Sequence, residues 1–155
     1  MNEAEAEPAE RVRELLTRVV DALGVSGSVE VHEVDEWLKA TVHGQDLGLL
    51  IGRHGETIDA LQHLAFRIAY RDTEPRKRVA VDASGYRERR AAVLQRQADR
   101  AVAEATRSGR PVALEAMPAA ERRLVHEYLR DQSEIETYSE GQEPQRRLVV
   151  APVVS

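Results

Sequence analysis

The sequence predicts an α+β protein built from two small domains. Apolar residues recur at helical spacing in several stretches and alternate with polar residues in others, and glycine or proline separates these stretches. The chain has 155 residues, of which 42% are hydrophobic, so it can build hydrophobic cores. We expect a mobile acidic lead-in at residues 1–9, a first domain at residues 10–83 and a second at residues 84–155.

The first domain should begin with a helix and a hairpin. From Glu10 onwards apolar residues repeat every three or four positions until Gly24, which predicts an amphipathic helix that ends there. Apolar and polar residues then alternate around residues 29–31 and 38–42. This alternation predicts two strands joined by a turn near Asp35.

A Gly-x-x-Gly turn follows the hairpin and joins two helical stretches. It reads Gly52, Arg53, His54, Gly55. Because glycine has no Cβ atom, a phosphate can approach the main chain there, and the first N–H groups of the next helix attract anions. Arg53 and His54 add positive charge. The spacing alone is also typical of an ordinary helix-start turn, and the two flanking helices are what favour a nucleic-acid clamp.

The residues around this turn predict how single-stranded nucleic acid would lie on it. Ile51 and Ile58 should contribute to an aliphatic groove for bases, next to the loop that holds the phosphates. The chain has only six aromatic residues, and we expect none of them beside the loop. Base stacking should therefore contribute little. A strand at residues 78–82 should complete the first domain.

The second half predicts helices and a terminal hairpin. A long helix should run over residues 84–108, and Gly109 with Pro111 should end it. A short strand, a helix from Ala119 and two further strands should follow, at residues 112–114, 119–131, 135–138 and 147–151. The arginines of the long helix are open to two interpretations. They form a solvated helix face or a basic rail along which nucleic acid continues.

The charge distribution permits a nucleic-acid partner despite a net charge of −5. Acidic residues dominate from Glu3 to Glu36, whereas basic residues outnumber acidic ones from Arg53 to Arg110. Most of the basic residues are arginine. This suits bidentate phosphate contact, although a coding bias would give the same skew.

Several function classes find no support in the sequence. Without cysteine there is neither a disulfide nor a thiolate metal site, and the five histidines show no ligand spacing, so we expect no metal and no cofactor. The glycines fit no mononucleotide or dinucleotide motif, and no cluster of carboxylates indicates hydrolysis, so we expect no enzyme. The absence of a long apolar run predicts a cytoplasmic protein without a membrane span.

Two resemblances follow from these motifs. The run from Ile51 to Ile58 between two helices, in the order helix, strand, strand, helix, helix, strand, resembles a type II KH domain, with a three-stranded sheet covered by helices. Arg122 and His126, four residues apart on one helix face, resemble the R-three-H domain, a small α/β domain. The two domains in this order are similar to the bacterial Jag family, also called KhpB. Many of its members carry an additional N-terminal Jag domain, where this sequence has a short acidic lead-in.

The family resemblance implies a single-stranded RNA-binding protein, with single-stranded DNA as a possible ligand. It implies a post-transcriptional regulator or RNA chaperone linked to envelope growth and cell division. The alternative is a protein-interaction module that pairs with a second small KH protein or with its own copy. The residues themselves and the family resemblance together predict a set of RNA contacts. These are Ile51, Gly52, Arg53, His54, Gly55, Ile58, Arg122, Arg123, His126, Arg146 and Arg147.

Overall fold

We analysed the protein in a computed structural model that describes residues 7–72, 74 and 76–154. The chain divides into two compact units, Met1–Arg87 and Glu88–Ser155. The first helix begins at Pro8 rather than at Glu10 as predicted, because proline is well suited to the first turn of a helix. Residues 8 and 9, which the prediction placed in the mobile lead-in, are part of this helix, and residues 1–6 lie outside the described part of the chain.

The first unit has the predicted order of elements, which confirms the α-β-β-α-α-β arrangement. A left-handed Gly24 ends the first helix, as its position in the sequence predicts. The two helices around the Gly-x-x-Gly turn differ in length, since the first is a single turn. The elements are α1 (Pro8–Leu23), β1 (Gly27–Val34), β2 (Trp37–Gly44), α2 (Gly48–Ile51), α3 (Glu56–Ala69) and β3 (Arg78–Ala83).

The sheet of the first unit has the order β1-β2-β3 and one buried face. β1 pairs antiparallel with β2, and β3 pairs parallel with β2, with Leu38 opposite Val79. A parallel pair needs a crossover, and α2 and α3 supply it. The buried face packs against α1 and α3, where Leu16 and Ile58 are fully enclosed. This packing fixes the start of α3, which carries the loop.

The second unit contains a second three-stranded sheet, of order β4-β6-β5, in which all pairing is antiparallel. Its core brings Leu94 and Ala98 of the long helix together with Val125 and Val150. Arg90 forms an ion pair at 2.6 Å with the buried Glu121. The elements are α4 (Tyr86–Ser108), which starts at the end of the first unit, β4 (Val112–Ala113), α5 (Ala119–Leu129), β5 (Ile135–Glu140) and β6 (Arg147–Pro152). None of the helices described here has the length and apolar character needed to cross a membrane.

Candidate nucleic-acid interface

The Gly-x-x-Gly bend has a backbone that depends on its glycines. Gly52 adopts φ 75° and ψ 175°, a combination that is essentially restricted to glycine. His54 and Gly55 are both left-handed, with φ of 55° and 75°. Within the bend, the N–H of Gly55 donates to the carbonyl of Gly52 at 3.2 Å. The bend is therefore a tight turn directly before α3.

Protein atoms occupy the space that the missing side chains leave. A Cβ atom on Gly52 would lie 2.8 Å from Cβ of Thr57 and 2.9 Å from its main-chain nitrogen. A Cβ atom on Gly55 would lie 2.9 Å from the ring of Tyr86. The sequence predicts that a phosphate uses this space, and in the structure Thr57 and Tyr86 occupy it. Gly55 is consequently buried, while the neighbouring Arg53 is exposed.

The residues predicted around the bend differ in their accessibility. Arg53 is exposed, and Ile51, Gly52 and His54 are half-buried. Ile58 has no exposed surface, because it packs in the core between α3 and the sheet. The prediction that Ile58 contributes to a base-binding groove is therefore corrected to a supporting position beneath the loop. The accessible part of the bend itself is therefore residues 51–54.

An aromatic residue lies beside the loop, contrary to the sequence-based expectation. The half-buried ring of Tyr86 covers Gly55. No local pattern connects two positions 31 residues apart, which is why the expectation was wrong. The only sequence signal is that Tyr86 follows directly after the turn at the end of β3 and opens α4.

The residues next to Tyr86 are fixed to the first unit by several hydrogen bonds. The main-chain N–H of Ser84 donates to the carbonyl of Val42 at 2.9 Å. The guanidinium of Arg87 donates to Asp59 at 2.7 Å and to Gln62 at 3.2 Å, both on α3. Tyr86 is thus held between two anchored neighbours. This arrangement sets the position of the ring against the bend.

A second candidate surface is a groove of about 340 Å³ between α5 and the sheet of the second unit. Its lining combines guanidinium, imidazole and hydroxyl groups, which suits an anion. The residues are Ala119, Arg122, Arg123, His126, Thr137, Tyr138, Ser139 and Leu148. Arg122 and His126 lie in one groove, as their spacing predicts. Arg146 and Arg147 are not among the lining residues.

Arg122 already has protein partners for its guanidinium. It donates to the carbonyl of Met117 at 3.1 Å and to the hydroxyl of Ser139 at 3.2 Å, and it forms an ion pair with Glu143. Its side chain is only 10% exposed. A phosphate would therefore have to share Arg122 with Glu143 or displace the carboxylate.

The other cations of this surface are more accessible. Arg123 is 80% exposed and pairs with Glu127 at 3.0 Å, in an arrangement that costs little to open. The ring nitrogen Nδ1 of His126 is within hydrogen-bond distance of the Thr137 hydroxyl. Arg146 donates to the carbonyl of Gly141 and so shapes the β5–β6 turn, and Arg147 lies opposite Glu140.

A carboxylate–histidine cluster lies on the exposed side of the first hairpin. Glu30 contacts His32, and its other oxygen lies 2.7 Å from Nε2 of His43. The hydrogen bond from His32, followed by that from His43, lowers the pKa of the Glu30 carboxyl. In the part of the chain that the structure describes, no three His, Asp or Glu side chains are grouped so that they could hold a metal ion.

Comparison with known proteins agrees with this arrangement of domains. Residues 9–82 match the family model of the KhpA/KhpB KH domain, and residues 92–152 match that of the R-three-H domain. The chain is 39% identical over 136 residues to the protein named RNA-binding protein KhpB of Lactiplantibacillus plantarum, which covers 88% of this chain. The chain combines a KH domain of the KhpA/KhpB type with an R-three-H domain.

Two further relatives carry the same name. A KhpB of Clostridium symbiosum is 35% identical and covers 89% of the chain, and that of Bacillus subtilis is 29% identical and covers 94%. The chain spans 42% of the length of the Lactiplantibacillus relative, 63% of the Clostridium relative and 71% of the Bacillus relative. The similarity to KhpB proteins thus extends over both units described above.

Proposed function

We propose that this protein is a KhpB protein that binds single-stranded RNA through the bend at residues 51–54 and through the groove beside α5. The observation that carries the proposal is the exposed Arg53 on a bend whose backbone is fixed by glycines, at the start of a helix that packs one face into the core. The three relatives described above are each named as RNA-binding proteins. No described site indicates catalysis, and we propose a binding protein rather than an enzyme.

The bend and the groove should each bind weakly. Few cations are accessible at either one, and exposed charge contacts contribute only about 0.2–1 kcal/mol each. Two weak sites on one strand gain affinity through effective concentration when the strand reaches both. The protein should therefore prefer oligonucleotides long enough to contact both units over short ones. From the resemblance to KhpB proteins we propose a role as a post-transcriptional regulator or RNA chaperone in envelope growth and division.

The experiment that tests this proposal is a titration of RNA against the full chain at several salt concentrations. With phosphate contacts on a single strand, the logarithm of the affinity should fall with the logarithm of salt concentration by about 0.7 per contact. Single-stranded DNA of the same sequence and duplex RNA serve as competitors. An affinity that does not depend on salt concentration, or that is higher for duplex RNA than for single-stranded RNA, contradicts the proposal.

The groove can be tested without disturbing the partners of Arg122. Replacing Arg123 and His126 by alanine should weaken the binding of long oligonucleotides by about 1 kcal/mol, roughly fivefold, and leave short ones unaffected. Arg122 is a poor choice for this test, because its replacement also releases Ser139 and Glu143. If the double variant and the unchanged protein bind long RNA with equal affinity, the groove is not part of the RNA interface.

The same groove predicts a variant that binds more tightly. Glu143 neutralises Arg122, so Glu143→Gln should free the guanidinium for a phosphate and raise the affinity for long RNA about threefold, a gain typical of one additional charge contact. The matched control is Glu140→Gln, which removes the charge that faces Arg147 on the neighbouring strand. A gain in the control as large as that in Glu143→Gln would indicate a general charge effect.

A second candidate function is pairing with another small KH protein or with a second copy of this chain. It is favoured by two exposed leucines, Leu49 on α2 and Leu64 on α3, which are 66% and 44% exposed. Sedimentation of the protein without RNA tests this candidate. A monomer at all concentrations, unaffected by a KhpA-type protein, would contradict it.

A further inference from the structure

Four arginines of α4 form one straight line along the helix. They are Arg89, Arg96, Arg100 and Arg107, and all four are exposed. Their spacing of seven, four and seven residues keeps them within about 20° of a common line at 3.6 residues per turn, over roughly 27 Å of helix. We call these four residues the arginine stripe.

The stripe lies on the side of α4 that points away from the core of the second unit. The buried residues of α4, Leu94, Ala98, Ala101 and Ala105, fall at about 120–180° from the line of the stripe. The helix therefore presents its arginines to solvent for structural reasons that do not depend on a ligand. The regular line is not required by the fold, since any polar residue would be tolerated on this face.

The two central arginines form no ion pair within the described part of the chain. Arg96 and Arg100 make no ion pair or hydrogen bond with any residue that the structure describes. The acidic residue of α4 nearest to the line, Glu104, lies about 60° away from it and is engaged by Arg107 at 2.6 Å. In a protein with a net charge of −5, this is a local concentration of positive charge.

We propose that the arginine stripe is a third RNA-contacting surface. It binds phosphates in the part of the RNA strand that contacts neither the bend nor the groove. This proposal rests on the proposed function. Guanidinium groups bind phosphate oxygens bidentately, and a row of them suits a polymer whose charges are also arranged in a row. Because the contacts reach only phosphates, the stripe should contribute affinity without sequence preference.

The stripe suits a polynucleotide better than a lipid surface. A helix that lies on a membrane needs a free apolar face with large residues, and the apolar face of α4 is buried in the core. Between the arginines the line contains only the small residues Val93 and Ala103. An acidic protein surface is the remaining competitor, and the experiment distinguishes it.

The test replaces the two central arginines by glutamine in the full chain. Arg96→Gln with Arg100→Gln should lower the affinity for long single-stranded RNA on the order of fivefold at low salt and reduce the salt slope by about 1.4, which is 0.7 for each lost contact. Glutamine is a good helix former, so the fold should persist, as thermal unfolding will show. The control is Arg13→Gln with Arg18→Gln, which removes the same charge from α1, where Arg13 is half-buried and Arg18 is exposed.

Each outcome decides between defined alternatives. A second variant, Arg53→Asp with His54→Asp, here called the Asp variant, changes the bend instead. An unchanged salt slope in the stripe variant, together with weaker RNA binding by the Asp variant, overturns the stripe and leaves the proposed function standing. Equal losses in the stripe variant and the α1 control overturn it as well, because general charge then explains both. Unchanged RNA binding together with loss of self-association in sedimentation would assign the stripe to an acidic surface of a second copy. If neither the stripe variant nor the Asp variant changes binding, the proposed function itself fails.

Discussion

Replacing Gly52 by alanine should lower the free energy of unfolding of the first unit by about 3 kcal/mol and abolish the RNA binding of the bend. The φ and ψ of Gly52 are essentially closed to other residues, which accounts for up to about 3 kcal/mol. The new Cβ atom would also press on the main chain of Thr57, which α3 holds in place. Chemical denaturation monitored by circular dichroism measures the loss.

Three other glycines form a graded control series for this prediction. Gly48 has open space around its Cβ position and lies within α2, so alanine should be neutral or stabilising by about 0.5 kcal/mol. Gly24 has open space but φ 68°, which should cost about 1 kcal/mol. Gly55 combines a positive φ with the Tyr86 ring and should fall between Gly24 and Gly52. An alanine at Gly52 that is no worse than one at Gly24 would contradict the account of the bend.

The Tyr86 contact gives a separate prediction for the bend. Tyr86→Leu should weaken RNA binding at the bend about threefold, because a looser loop has to be ordered on binding, at about 0.5–1.5 kcal/mol per side chain immobilised. Tyr70, which is buried in the first unit, provides the control as Tyr70→Leu. Both variants should lose stability, and only Tyr86→Leu should change the affinity of the folded protein. Equal RNA affinities of the two variants would show that Tyr86 contributes to stability and not to RNA binding.

The order of the elements could be predicted because it is encoded locally. The alternation of Leu38, Ala40 and Val42 predicts a strand, and the structure buries all three. Gly24 and Gly109 mark the ends of two helices, and both are left-handed in the structure. The start of α1 was misplaced by two residues, because Pro8 opens the helix without an apolar signal. The parallel pairing of β2 and β3 follows from the crossover through α3.

The parts of the candidate site that escaped prediction depend on contacts between distant residues. Ile58 fits a helical apolar pattern equally well as a groove residue or a core residue, and only the packing of α3 on the sheet decides for the core. The ion pair of Arg122 joins α5 to the β5–β6 turn across 21 positions. The course of the chain after β3 places the ring of Tyr86 against Gly55. Spacing along the sequence contains none of this information.

Changing Arg53 and His54 to aspartate should weaken RNA binding by about 2 kcal/mol, roughly thirtyfold, with little effect on stability. The two lost charge contacts contribute about 0.2–1 kcal/mol each, and the two introduced carboxylates repel the phosphates, which adds to the loss. Aspartate is one of the few residues that tolerate the left-handed conformation of position 54, so the bend should keep its shape. Arg53 is exposed and stabilises no core. Fluorescence anisotropy with labelled single-stranded RNA measures the loss.

The control for this variant keeps the charge change and moves it away from the bend. His63→Asp with Arg71→Asp alters the same residue types at exposed positions of the first unit. If net charge alone governed binding, both double variants would lose affinity equally, because they make the protein more negative by the same amount. A loss confined to positions 53 and 54 requires phosphates at the bend itself. Full affinity in the loop variant, with the fold intact, would mean that the strand never reaches this bend, and the groove beside α5 would then have to account for all binding.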